Sequence, residues 1–240
     1  MGKYSKLSYT IIVICICLAV LPSLPPTLTQ LSMADSINPG LFGVDTEPYG
    51  LAFPEWSAKW WNWYLSIPEP NSPGSDATGV HCSEGQNDQN VWYLTGADSG
   101  KVVRTCTIPA DRGIPINVAG NECSYAENPA LKTEEELRSC AIAGDQVSSL
   151  SVNVDGTDLK DLDNYVVVTP LFDVTFPENN IFGAPPGPSK AVSHSYLIFL
   201  EPLPVGNHTI KFHAAYLGTA EIEPNSYDVE YKLQIVEPES

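Results

Sequence analysis

Six aromatic residues, Trp56, Trp60, Trp61, Trp63, Tyr64 and Trp92, are the densest set of side chains that could bind something. Exposed on a β-rich protein, such rings stack on sugars or anchor a protein partner; buried, they are core. His194 and His213 form the second candidate. If Ser193–Leu200 and His208–Leu217 pair as a hairpin, both imidazoles fall on one face, where they could start a copper or zinc site with His81 as a third ligand. Asp76 and Glu84, near the Trp segment, are the third. Two carboxylates at the right separation perform glycoside hydrolysis. The fourth is the acidic run Asp155, Asp158, Asp161 and Asp163, which invites calcium. On the EF-hand template, with Gly156 at the invariant glycine, the last ligand falls on Leu162, so the bidentate acid is missing and the template fails.

Other catalytic signatures do not occur. There is no G-x-S-x-G, S-x-x-K or H-E-x-x-H, and no phosphate-binding glycine loop. Twelve Lys and Arg against 29 Asp and Glu give a net charge of −17, which excludes a general nucleic-acid binder and disfavours docking on anionic lipid.

The elements that must position these residues lie behind a leader. Residues 1–34 read as a signal peptide or an N-terminal anchor: Lys3 and Lys6 precede the apolar run Ile11–Leu21, and Ser32-Met33-Ala34 offers a cleavage site before Asp35. The apolar run is shorter than a spanning helix requires, so membrane attachment is expected only through an uncleaved leader. The remaining chain, 35–240, is expected to form a single domain in the extracellular space or cell envelope, with a net charge of −19. Its four cysteines, Cys82, Cys106, Cys123 and Cys140, form an even set with no metal-ligand spacing and read as two disulfides. Of the three possible pairings, the sequence-local one is preferred, Cys82–Cys106 with Cys123–Cys140.

Two helices are expected. Pro54–Leu65 has Pro54 in its first turn and Pro68 beyond its end. Thr133-Glu134-Glu135-Glu136 is a capping box opening a helix that stops at Gly144. Elsewhere short β-prone runs alternate with turn signals, among them the Asp155-Gly156 hairpin signal, and Pro177–Lys190 is expected to be a long irregular loop. The fold class is therefore all-β: a disulfide-stabilised β-sandwich, jelly-roll or immunoglobulin-like, with two short helices packed on it. Asn207-His208-Thr209 is a glycosylation sequon.

Several stretches carry a resemblance. PEWSAKWWNWYLSIPEPNSP, Asp76-x-Thr78-Gly79 with Cys82 and Gln86 before VWYLTG, RTCTIPADRGIPI, DNYVVVTPLFDVTFPENNIFG and PLPVGNHTIKF together resemble a group of exported archaeal and bacterial β-rich proteins with no assigned activity. The resemblance implies an exported β-rich domain and assigns no site residue. The functional expectation is a non-catalytic binding or structural module of the cell surface, with glycan or a surface protein as ligand and no cofactor. The alternatives are a carboxylate hydrolase and a His-based metal protein, with calcium or a transition metal as the alternative cofactor. Nothing in the sequence sets the oligomeric state.

Overall fold

The computed structural model describes residues 38, 40–218 and 223–238. The expected leader, residues 1–34, and its expected cleavage site lie outside the described residues. Among the described residues, ten strands form two five-stranded sheets, accompanied by two α-helices.

In the first sheet, β1 (Leu94–Thr95) pairs with β3 (Ile114–Ser124), β3 pairs with β8 (Gly187–Leu200), and β6 (Val166–Val168) and β7 (Phe172–Phe176) both line the far edge of β8. In the second, the order is β2 (Gly100–Pro109), β10 (Asn225–Val236), β9 (Gly206–Tyr216), β4 (Val147–Val154) and β5 (Thr157–Asp158), with β2 parallel to β10 and the other pairs antiparallel. One apolar cluster runs through both sheets and includes Ile116 and Ile198 of the first and Phe212, Val229 and Leu233 of the second.

Strand β8 is covered on both sides, which explains why its sequence does not alternate cleanly. Phe199 packs edge-on against Trp56 and Phe53 of α1 (Phe53–Ser66). Val192 joins Leu137 and Ala141 of α2 (Glu134–Gly144) in a separate small cluster. The second helix begins as its sequence predicts: Thr133 Oγ1 accepts from the Glu136 amide, and Glu136 Oε2 accepts from the amides of Thr133 and Lys132. Both expected disulfides are present, Cys82–Cys106 and Cys123–Cys140, with Cα atoms 5.9 and 6.1 Å apart. The first ties the 72–90 segment to β2, and the second ties α2 to β3. The β4–β5 hairpin turns at Asp155 and Gly156, both with positive φ, as an Asp-Gly turn requires.

Two sequence expectations need correction. Residues 187–190 belong to β8, paired with β7, so the irregular segment is 177–186 rather than 177–190. The β8–β9 hairpin does not form: β8 pairs with β3, β6 and β7, while β9 pairs with β10 and β4. Pro202 and Pro204 in the connection have no N–H to continue a ladder, and the chain crosses there to the other sheet.

Candidate functional site

Helix α1 lies over the first sheet, and the 72–94 segment folds over its other side. All five tryptophans are therefore buried, at 1 to 9% exposure, and Tyr64 is half-buried. The indole N–H groups of α1 are each used. Trp56 donates to the Pro48 carbonyl, Trp60 to that of Leu94, Trp61 to Ser195 Oγ and Trp63 to the Glu84 carbonyl. An exposed aromatic ridge built from Trp56, Trp60, Trp61, Trp63, Tyr64 and Trp92 is thus not what these residues make. Nothing in the local pattern of residues 72–94 signals that they cover the helix.

Three of the six nevertheless line a cavity of about 120 Å3 beside the C-terminal half of α1. Trp60, Trp61 and Tyr64 form one side, Thr95–Ala97 a second, and Asn117, Ala119 and Gly120 of β3 a third, with Tyr216 and Tyr227 of the second sheet closing it. Trp60 and Tyr64 stack at 5.0 Å, and Trp61 stands nearly perpendicular to both. Tyr216 and Tyr227 lie 6.3 Å apart and are anchored from behind: the Gly120 amide donates to Tyr216 Oη, and Tyr227 Oη donates to the Val118 carbonyl. Burial raises the phenol pKa of Tyr64, Tyr216 and Tyr227, so all three rings stay neutral.

One residue of the lining is polar, buried and incompletely paired. Asn117 is 5% exposed; its Nδ2 donates to Ser195 Oγ, and its Oδ1 has no partner. A buried acceptor left unpaired costs about 1–3 kcal/mol. Asn117 reaches this face because of a β-bulge. The β3–β8 register shifts between Asn117 and Ala119, so Asn117, Gly120 and Glu122 oppose Leu197, Ser195 and Ser193. Directly opposed residues share a face, so an odd spacing that ordinary alternation would split is brought to one side. Ser193 and Ser195 meet Ser57 and Trp61 of α1 there. Gly96 and Gly120 are required by close approach: a Cβ at 96 would lie 2.8 Å from the Tyr227 ring, and one at 120 would lie 2.9 Å from Ser195 Oγ.

The other sequence candidates are placed differently. The Asp76 carboxylate accepts from the amides of Thr78, Gly79 and His81. Burial alone would raise its pKa, but these amides and the nearby Arg104 charge outweigh it and hold the carboxyl below its ordinary value. An acid so committed is a loop anchor, and it does not suit a proton donor paired with Glu84, which is exposed beside His81. His194 and His213 sit in different sheets, a consequence of the missing hairpin. His194 Nδ1 bonds Asp145 at 2.6 Å and His213 Nδ1 bonds Asp228 at 3.2 Å. His213 lines a polar shelf on the open face of the second sheet with Lys211 and Glu230. Asp155 is engaged by His208 and the Thr209 amide, and Asp158 by Asn153. Among the described residues, no three His, Cys, Asp or Glu side chains gather as a metal site would need.

Arg104 is a residue that sequence reasoning passed over. It is 2% exposed and donates to the carbonyls of Gly74, Asp76, Thr95 and Gly96 and to Tyr231 Oη, so one side chain fastens the 74–76 and 95–96 segments to the second sheet. The cavity wall at Thr95–Ala97 owes its position to this fork.

No protein-family model matches the chain, and no curated protein matches it. Among solved structures, it is similar to the cysteine protease inhibitor EhICP2 from Entamoeba histolytica, at 18% identity over 60% of this chain and 94% of that one, with a TM-score of 0.22. It is also similar to PbICP-C, solved in complex with falcipain-2, at 9% identity over 60% and 98% of the two chains, with a TM-score of 0.21. At these TM-scores neither neighbour supports an assignment of fold or partner.

Proposed function

We propose that the chain is an exported, non-catalytic binding module on an immunoglobulin-like β-sandwich, and that it engages a protein partner by accepting one side chain of that partner in the aromatic cavity. The strand order supports the scaffold reading. A β2-β10-β9-β4-β5 sheet opposite β3-β8 with β6 and β7 matches an immunoglobulin sheet of the C-F-G kind facing one of the B-E-D kind. The two disulfides fit an oxidising compartment, consistent with export by the leader.

The observation that carries the functional reading is the composition of the cavity: five aromatic side chains, together with the buried amide residue Asn117, line it. Its volume favours a protein over a glycan. A cavity of about 120 Å3 is smaller than the roughly 150 Å3 cavity that takes a benzene molecule, so it admits the end of one side chain rather than a substituted sugar ring.

The test is site-specific photocrosslinking in the native host, from a benzophenone amino acid placed at the half-buried rim residue Ala97. A discrete adduct of protein mass, absent when the probe stands at the exposed Val103 on β2, supports the reading. Adducts of carbohydrate mass, or none, overturn it.

A further inference from the structure

We infer that Asn207 carries an N-linked oligosaccharide in the mature protein, and that this glycan lies over the open face of the second sheet. The inference goes beyond the binding-module reading and shares with it only export by the leader. The modification joins the Asn207 side-chain nitrogen to C1 of a sugar supplied by a polyprenyl phosphate- or diphosphate-linked oligosaccharide. The C1–O bond to phosphate breaks, the polyprenyl phosphate leaves with that electron pair, and one amide proton is released.

Asn207-His208-Thr209 supplies the acceptor amide and a threonine hydroxyl two residues on, and no other Asn-x-Ser/Thr triplet occurs in the sequence. A residue modified before folding must emerge where the folded chain leaves room, and Asn207 does. It is exposed near the start of β9, and no hydrogen bond among the described residues holds its side chain. Strand alternation puts Asn207 and Thr209 on one face and His208 on the other. There the His208 ring nitrogens bond Asp155 at 2.6 Å and the Pro204 carbonyl at 2.9 Å, and Asp155 also accepts from the Thr209 amide at 2.7 Å. The triplet is therefore fastened from the side opposite the acceptor, and a sugar on Asn207 displaces none of these contacts. The β4–β9 ladder ends at Val154 and Ile210, so Asn207 also stands beyond the end of β4.

The surrounding face suits a glycan. Both α-helices pack on the first sheet, which leaves this side of the second uncovered by either. Gln234 of β10 lies directly opposite Asn207, and Thr107 of β2 lies beside Gln234. With Thr105, Lys211 and Lys232 they form an exposed set of amide, hydroxyl and ammonium groups, which hydrogen-bond sugar hydroxyls and offer no apolar patch to a protein. Tyr216 of the aromatic cavity is nine residues further along β9, on the opposite face and about 30 Å away, so the glycan leaves that cavity open.

The experiment is mass spectrometry of the full chain made by its own host. Trypsin releases Ala191–Lys211, which holds the whole triplet, and electron-transfer fragmentation places any added mass on one residue. The expected result is an oligosaccharide mass on Asn207 in most molecules, lost in Asn207→Gln and Thr209→Val and kept in Thr209→Ser. The wild-type peptide decides the matter even if a variant fails to fold. A mature exported chain whose Asn207 is bare, a sugar placed instead on a serine or threonine, or a mass that survives Thr209→Val overturns the inference and leaves the binding-module reading standing. A chain that never leaves the cytoplasm and is bare at Asn207 overturns export and glycosylation together. Asn207→Gln should leave the Ala97 crosslink unchanged; its loss would show that the glycan belongs to the partner contact and would overturn the placement away from the cavity.

Discussion

Replacing Glu122 by Gln should stabilise this protein at neutral pH and leave it unchanged in acid. Glu122 is 5% exposed on β3, its carboxylate oxygens have no hydrogen-bond partner other than the neighbouring Glu127 carboxyl, and it stands opposite Ser193 of β8. Burial first, and the neighbouring Glu127 carboxyl second, hold its pKa well above the ordinary 4.5. A carboxyl raised on folding binds its proton more tightly in the native state. Its contribution is therefore fully present below the unfolded pKa near 4.5 and is lost as pH climbs toward the folded value. Over the interval in which the native chain holds one proton more than the unfolded chain, stability falls by about 1.4 kcal/mol per pH unit. Glutamine has the same shape and does not titrate. Its buried amide shares the roughly 1–3 kcal/mol penalty of an unpaired polar group, so the difference between the two proteins isolates the proton. The assay is urea unfolding followed by tryptophan fluorescence at each pH unit from 4 to 8 with the disulfides intact. The expected curves coincide near pH 4 and diverge above it, with the variant the more stable. Parallel curves across this range would refute the argument and mean that Glu122 is ionised and solvated in the native state.

Three further outcomes follow from the same contacts. Arg104→Lys keeps the charge but loses the fork, leaving several carbonyls of Gly74, Asp76, Thr95 and Gly96 without donors; denaturant titration should show a loss of at least about 3 kcal/mol. Replacing Cys123 and Cys140 by Ser opens a closure with a sequence separation of 17 and should lower stability by about 3 kcal/mol, read as a lower melting temperature. Thr133→Ala removes the acceptor for the Glu136 amide and should cost about 1 kcal/mol in the same assay, with α2 fraying first by hydrogen exchange.

The parts of the structure that the sequence made legible are those governed by local chemistry. Thr133 with Glu136, Asp155 with Gly156, and Pro54 before Trp56 each specify a cap, a turn or a helix start from a few neighbouring residues. The disulfide pairing followed from sequence distance in the same way. What failed was long-range. The β8–β9 hairpin looked reasonable because two apolar runs flank a short Pro-containing linker, yet Pro202 and Pro204 deny the linker the amides a tight hairpin would use, and β9 gains two full-length partners in β10 and β4. The fate of the tryptophans was equally hidden. Helical spacing places Trp56, Trp60 and Trp63 on one face, but whether that face is core or surface depends on the 72–94 segment, whose path is fixed by Arg104 and Asp76 contacts with backbone groups. Arg104 reads as an ordinary exposed strand residue until those carbonyls surround it.

The polar layer under α1 links stability to binding. Ser57, Ser193, Ser195, Asn117 and Glu122 occupy an interface otherwise made of tryptophan and aliphatic side chains, and all five are buried. An apolar interface of the same shape would be more stable, since Asn117 and Glu122 both carry unpaired atoms. Packing needs no bulge in β3, yet the bulge is what aims Asn117 at the aromatic cavity. Local irregularity, unsatisfied polarity and an unfilled volume therefore meet at one place, while the disulfides and the Arg104 fork brace the segments around it. Where a backbone irregularity, a buried unpaired amide residue and an unfilled volume coincide between braced segments, that point is a natural place to look for a ligand. Asn117 consequently separates two accounts of the molecule. If Asn117→Leu raises stability and leaves partner capture from Ala97 intact, the polar layer belongs to folding alone; a gain in stability with loss of capture places it in the binding site.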